Sequence, residues 1–477
     1  MFWISHPSPL VQTALAILYV LVAATVTADV LLKKSDVRGA LGWIGAAWFS
    51  PILGGVLYYL FGINRVNRRA LKLKRRLKDT KNRRPLSAEI PGLPPHIAEL
   101  MDISGRVTGD PLTAGNALDI LENGDGAYPQ MLAAIAGAKQ SIAFASYIFR
   151  NDATGHDFID ALIAAHKRGV QVRVLLDGVG TGYFINPIIL RLREGGVVTR
   201  RFLHTWLPWR MPFLNMRNHR KLLVVDGATA FTGGINIGGE NLKNARLDRR
   251  VLDVHFCVQG PVVRLVMDAF ARDWIFTTGE NLDEDFWWPE LAPVGPVYAR
   301  GLRTGPDADL YKLDMILGAA LTLAKKRIRI LTPYFLPDAR LQFAIAQAAL
   351  RGVEVEIVLP GRSDHHYMEW AMRAHLRFFN YIAAKVYVTP QPFDHAKLCT
   401  VDDGWCVIGS SNWDARSFRL NFEFDLECYD PALAKKLDAI IDARIARGKK
   451  LDVKALTGQP VWIRLRDAAC RLLMPYL

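Results

Sequence analysis

The sequence predicts an α/β protein built by duplication of one strand–helix–strand unit, preceded by an N-terminal hairpin of two transmembrane helices. Three observations carry that expectation: two long apolar segments at the start, a βαβ pattern that occurs twice, and a polar motif that occurs twice in corresponding places. The 477 residues exceed the roughly 250–300 at which a single core stops growing, so more than one domain is expected.

The membrane part comes first. "PLVQTALAILYVLVAATVTADVLL" (9–32) is interrupted only by Gln12, Asp29 and a few hydroxyls, and "GALGWIGAAWFSPILGGVLYYLF" (39–61) carries no charge. Each suits the roughly 20 residues of a spanning helix, and "KKSDVR" makes a tight polar turn between them. A cleaved leader fits less well, because the first segment lacks a basic start and a second apolar segment follows directly. Pro51 and the pair Gly54–Gly55 interrupt the second segment, which leaves an interfacial placement open for it. Residues 1–62 are therefore read as the membrane hairpin and 63–109 as a basic juxtamembrane linker.

Between Arg65 and Arg84 eleven Lys and Arg residues meet one acid, Asp79, a net +10 of the chain's +14. Positive charge beside a span stays cytoplasmic, so both ends of the chain are expected there, against only Lys33, Lys34 and Arg38 in the outer turn. The same run attracts anionic lipid headgroups. It is packed against the spans rather than spread over the rest of the chain, and no basic arm carries interleaved aromatics, which argues against a nucleic-acid partner. Five cysteines without a CxxC pair read as small buried hydrophobes in a reducing compartment, and no metal site is expected.

The duplicated unit follows. "SIAFASYIF" (141–149), "FIDALIAAHKRG" (158–169) and "VQVRVLLDG" (170–178) read as strand, amphipathic helix and strand, hence a parallel pair. "RIRILTPYF" (327–335), "QFAIAQAALRG" (342–352) and "VEVEIVLPG" (353–361) repeat that order. Gly169 and Gly352 stand 183 residues apart, His219 and His395 176 apart. Near-equal offsets describe one unit repeated with small insertions. The halves are set at 110–290 and 291–450, with the Pro-rich "WWPELAPVGP" (287–296) at the boundary.

"NHRKLLVVDGATAFTGGINIG" (218–238) and "DHAKLCTVDDGWCVIGSSNWD" (394–414) both fit HxKx4Dx6G[GS]xN. The first match comprises His219, Lys221, Asp226, Gly233, Gly234 and Asn236; the second His395, Lys397, Asp402, Gly409, Ser410 and Asn412. A lone His two residues from a Lys is usually surface decoration; two complete matches in a duplicated domain are not. Residues two apart on a strand share a face, so each His and Lys project together. The set suits a phosphodiester. Lys221, Lys397, Asn236 and Asn412 can hold non-bridging oxygens, with Gly234 and Ser410 letting the backbone approach. One imidazole can attack phosphorus while the other moves protons at the leaving and incoming alcohols. Cationic side chains supply the charge, so no cofactor is needed. Asp226 and Asp402 enter the candidate catalytic set with their motifs, although holding the local loop suits their place better than chemistry.

The paired motif resembles that of the phospholipase D superfamily. The likeness narrows to bacterial cardiolipin synthases through "RNHRKLLVVDG", "FTGGINIG", "TPYFLPD", "RGVEVEIVLPGRSD" and "IGSSNWDARSFRLNFEF". The resemblance implies two phospholipase D-like halves with the site between them, in a multi-pass protein of the bacterial inner membrane with its catalytic halves cytoplasmic. It implies transfer of a phosphatidyl group between two phosphatidylglycerol molecules, giving cardiolipin and glycerol through a phosphatidyl-histidine. It assigns the nucleophile to His219 and the acid/base to His395, a choice the near-symmetric motifs do not make. A carboxylate is expected on the second nitrogen of each imidazole: Glu423 in the second half, Asp253 in the first, with Glu240 competing. "SSNWD" departs from the family pattern and places Trp413 near the site, while "SDHHYMEW" adds His365 and His366 at a strand end.

Three other readings stay in view: a hydrolytic phospholipase D releasing phosphatidic acid, a membrane-tethered nuclease, and a non-catalytic lipid-binding scaffold. The terminal segment 451–477 contains the amphipathic "VWIRLRDAACRLLMPYL", suited either to the membrane surface or to packing on the core. The oligomeric state is left open, a homodimer included.

Overall fold

The computed structural model describes residues 8–34, 37–62, 90–182, 184, 186–205 and 216–472. The polybasic run Arg65–Arg84 and the last five residues lie outside these. The chain divides into two bodies, an N-terminal one and a large α/β one, taken in turn.

In the N-terminal body, Pro9–Lys33 forms one 25-residue helix whose most apolar 18-residue stretch has a mean hydropathy of 2.3, long and apolar enough to cross a bilayer. The second expected span is not one helix. It breaks at Ser50 into Val37–Phe49 and Pro51–Leu57, followed by a π-helical turn Tyr58–Gly62. Pro51 cannot donate to the preceding turn, and the chain folds back so tightly that a Cβ on Gly54 would lie 2.2 Å from the Ala46 carbonyl oxygen. Among the described residues one helix, rather than two, therefore has the length to span. Within this body the Tyr58 hydroxyl donates to Asp29 at 2.8 Å, and Asp29 also pairs with Lys33, so the acid in this apolar helix is satisfied.

The α/β body is organised by one continuous sheet of 16 strands. Outward from a central seam the first half contributes Thr113–Glu122, Val254–Gln259, Thr229–Gly233, Leu222–Val225, Ser141–Ser146, Gln171–Asp177 and Val198–Phe202. From the same seam the second half contributes Val297–Thr304, Asn421–Tyr429, Trp405–Gly409, Leu398–Val401, Arg327–Leu331, Glu354–Pro360, Lys385–Thr389 and Lys449–Lys450. The first seven strands of the two orders correspond one to one, Lys449–Lys450 has no counterpart in the first half, and the sixteenth strand, Arg217–Asn218, pairs off this path with Asn421–Tyr429; the seam is the antiparallel pairing of Thr113–Glu122 with Val297–Thr304. The expected parallel pairs are present: Ser141 opposite Gln171, and Arg327 opposite Glu354.

Asp152 caps the helix Ala153–Lys167 by accepting from Gly155 N at 2.8 Å, and Asp338 caps Ala339–Leu350 in the same way. These caps start both helices earlier than their apolar periodicity suggests. Phe158, Ile159 and Leu162 bury against Phe144 and Val174; Leu341 and Ile345 bury against Ile330 and Ile357. Each such side chain contributes roughly 1.5–3 kcal/mol.

One segment departs from expectation, and the C-terminal one takes the second of its two expected placements, packing on the core. Part of the stretch read as linker is the helix Pro95–Thr108, whose Ile97, Leu100 and Met101 join the second half's core. The C-terminal helix Val461–Leu472 packs on His366–Leu376 through Asp467, fully buried and paired with Arg373 and Arg377. Val461, Trp462 and Leu465 on that helix remain exposed.

Candidate active site

Both HxK stretches lie at the mouth of a short strand, Leu222–Val225 or Leu398–Val401, and each is preceded by a two-residue strand that crosses to the other half. Arg217–Asn218 pairs in parallel with Asn421–Phe422, and Phe393–Asp394 with Val251–Leu252. His219 N donates to the Phe422 carbonyl at 2.9 Å, and His395 N to the Leu252 carbonyl at 2.7 Å. Each histidine is thus mounted on the opposite half's backbone.

The side chains follow the same exchange. His219 Nδ1 lies 2.9 Å from Glu423 Oε2, and His395 Nδ1 lies 2.7 Å from Asp253 Oδ2. The sheet register shows Asp253 and Glu423 to be equivalent, since Gly233 faces His255 and Gly409 faces Asp425. Both carboxylates expected to hold the imidazoles do so, but crosswise: the first half's acid serves the second half's histidine. Glu240 does neither. It pairs with Arg150 at 2.9 Å.

The motif glycine and serine are explained by these carboxylates. A Cβ on Gly234 would lie 2.1 Å from Asp253 Oδ1, so no larger residue fits there. At the equivalent place Ser410 Oγ donates to Glu423 Oε2 at 2.6 Å, and Asn421 donates to its other oxygen at 3.0 Å. Lys221 Nζ donates to the His219 carbonyl at 2.7 Å, and Lys397 Nζ stands 2.8 Å from His395 Nδ1. Asn236 Oδ1 accepts from Ile148 N at 3.2 Å. Asn412 Oδ1 is buried with no hydrogen-bond partner.

Asp226 and Asp402 belong elsewhere. They sit at the far ends of the four-residue strands, five residues and roughly 16 Å of extended chain from the lysines. Asp226 accepts from the backbone N–H of Lys139, Gln140 and Ser141, and Asp402 from Lys325, Lys326 and Arg327. Both residues are left-handed, at φ 51° and 50°, which Asp tolerates. They staple the neighbouring strand's start and are removed from the chemistry.

Several participants carried no clear sequence signal. Tyr147 packs edge-on to His219 at 4.8 Å and lies under Lys221 at 5.4 Å; Tyr334 stands 6.4 Å from His395. Behind the histidines, Arg220 and Asn218 both bond Asp273, while Asp394 bonds Arg444, tying each strip to a helix. Trp413 is buried and stacks on Phe335 at 6.2 Å.

Burial dominates the electrostatics. It pushes the His219 imidazole well below its ordinary range, and Lys221, Lys397 and His395 push it further, which also shows that the two strips converge. His395 is lowered too, by burial and Lys397, but the Asp253 carboxylate pulls it back up. Burial raises Glu423 despite Lys221; Asp253 is held below the usual carboxylate range because Lys397 and His395 outweigh its burial. Lys221 falls to about 7, chiefly by burial. Among the described residues no group of three or more His, Cys, Asp and Glu is placed to hold a metal ion.

A duplicated sheet that brings two His–Lys pairs together defines a phospholipase D-like phosphodiester site. The family model described as "Cardiolipin synthase, PLD-like domain" matches residues 131–274 and 317–445. The chain is 32% identical to the major cardiolipin synthase of Bacillus subtilis, over 93% of this chain and 95% of that one. It is 31% identical to a cardiolipin synthase of Alkalihalophilus pseudofirmus, over 92% and 88%. The phosphatidylserine synthase of Haemophilus influenzae shares the fold, with a TM-score of 0.59 at 17% identity, covering 80% of this chain and all of that one. The chain belongs to the cardiolipin synthase family.

Proposed function

We propose that the chain is a cardiolipin synthase that transfers a phosphatidyl group between two phosphatidylglycerol molecules through a histidine adduct. The observation that carries the chemistry is the crossed pair of imidazoles, each with Nδ1 on a buried carboxylate and Nε2 left to act. His219 Nε2 attacks phosphorus, the bond to the glycerol oxygen breaks, and His395 gives that oxygen its proton. A hydroxyl of the second phosphatidylglycerol then returns a proton to His395, its oxygen attacks phosphorus, and the P–N bond breaks. Lys221, Lys397 and the motif asparagines hold the non-bridging oxygens. The difference between the imidazoles supports this division of labour. His219 is the one held most firmly neutral, as a nucleophile requires, while ionised Asp253 stabilises a protonated His395. The polybasic run beside the apolar segments supports a cytoplasmic position for the catalytic halves at the bacterial inner membrane.

The test is product analysis of the purified full-length protein with phosphatidylglycerol in mixed micelles. Cardiolipin and glycerol are expected; phosphatidic acid without cardiolipin would establish the hydrolytic alternative. The pH profile gives a second prediction. Lys221 is charged below about pH 7 and loses its proton above it, so kcat/KM should fall on the alkaline side of neutrality. Lys221→Arg, charged throughout, should abolish that limb while lowering the rate. An alkaline limb that survives the substitution would assign it to another group.

A further inference from the structure

Beside the histidines lies a cavity of about 630 Å³, and its wall includes His395 and the motif residue Asn236. That size suits a small ligand or a lipid headgroup. His219 is not in its wall, so the cavity approaches the site from the acid/base side. Its charges do not cancel. Glu240 is neutralised by Arg150, and Asp248 by Arg246. Asp364 accepts from the Tyr334 hydroxyl at 2.6 Å and keeps its charge, yet the four arginines of the wall, Arg150, Arg249, Arg250 and Arg362, outnumber its three carboxylates. Among the described residues, no carboxylate pairs with Arg249, Arg250 or Arg362, which also line the cavity. Arg249 and Arg362 are exposed. Arg250 is half-buried, and its Nε is fully buried with no hydrogen-bond partner. The buried Nε fixes the guanidinium against the protein, and a guanidinium group lining a cavity with no paired carboxylate can take an anion through its remaining donors.

Position sharpens the point. Arg250 directly precedes the strand Val251–Leu252, whose Leu252 carbonyl accepts from His395 N. The strip that mounts the acid/base therefore also sets the guanidinium. The proposed mechanism places the first lipid's phosphorus between the imidazoles and gives the incoming hydroxyl to His395. In phosphatidylglycerol that hydroxyl is joined by a three-carbon glycerol unit to a phosphodiester of its own.

We infer that Arg249, Arg250 and Arg362 form the subsite for the phosphodiester of the acceptor lipid, selecting a phospholipid alcohol over water or an uncharged alcohol. This rests on the synthase reading and adds to it the means by which the second substrate is chosen. Guanidinium groups suit the task because their donors match phosphate oxygens in pairs.

The experiment uses the full-length protein in mixed micelles, with phosphatidylglycerol as donor and two competing acceptors, phosphatidylglycerol itself and ethanol. In Arg250→Gln and in the double variant Arg249→Gln/Arg362→Gln, the ratio of cardiolipin to phosphatidylethanol should fall about tenfold, while phosphatidylethanol formation stays within about twofold of wild type. Arg250→Lys, which keeps charge but loses the paired donors, should fall between. If both products drop in parallel, or the ratio does not move in either variant, the subsite is wrong. If the wild type makes phosphatidylethanol but no cardiolipin, the synthase reading fails and the subsite with it, a result distinct from an unmoved ratio.

Discussion

His395→Ala is expected to leave a phosphatidyl group on His219, and His219→Ala to form no adduct at all. In the first variant the attacking imidazole is intact, with its Nδ1 on Glu423 and Lys221 beside it. Glycerol then leaves without a proton donor, which slows the first step by about 10²–10⁴-fold. The second step loses its base by the same substitution, so the adduct persists once formed. In the second variant no nucleophile remains, and turnover should fall by about 10³-fold or more. Intact-mass measurement after incubation with phosphatidylglycerol, followed by peptide mapping, reads the outcome. An adduct on His395 in His219→Ala would reverse the roles.

The second large effect tests the exchange between halves. Glu423→Gln alters the second half but removes the charge behind His219, so adduct formation and turnover should fall together, by about 10²-fold or more. Asp253→Asn alters the first half but removes the charge that supports protonated His395. Turnover should then fall more than adduct formation, and the adduct present at steady state should rise. Rapid-quench measurement of the phosphatidyl-enzyme separates the two. If the patterns are interchanged, each carboxylate serves its own half and the crossed geometry is not the working one. The prediction is sharp because both acids are fully buried and each touches one imidazole.

The family of the chain and its duplicated sheet were legible early, because strand and helix periodicities are local and the His–Lys motif is compact. Asp253 and Glu423 could also be picked out, but their partners could not. Pairing between Asn421–Phe422 and Arg217–Asn218 joins residues some 200 positions apart, and no local pattern encodes it. Glu240 competed with Asp253 because both are acids near the first motif; the fold separates them by giving Glu240 to Arg150. Asp226 and Asp402 entered the candidate set through the motif although a loop-holding role already suited them better; the structure adds which backbone they hold, the starts of the strands at Ser141 and Arg327. The second apolar segment has the composition of a span, yet Pro51 and the contact of Gly54 with Ala46 bend it into two.

By itself the sequence determined the chemistry on offer: two imidazoles, two lysines, two asparagines, and the strands that present them. Tertiary structure alone decided which carboxylate holds which imidazole, how firmly each is kept neutral, and where unpaired guanidinium groups meet the acid/base. The physical reason is that side-chain identity and periodicity are properties of neighbouring residues. Burial, pairing and proton affinity arise between segments that only the folded sheet brings together.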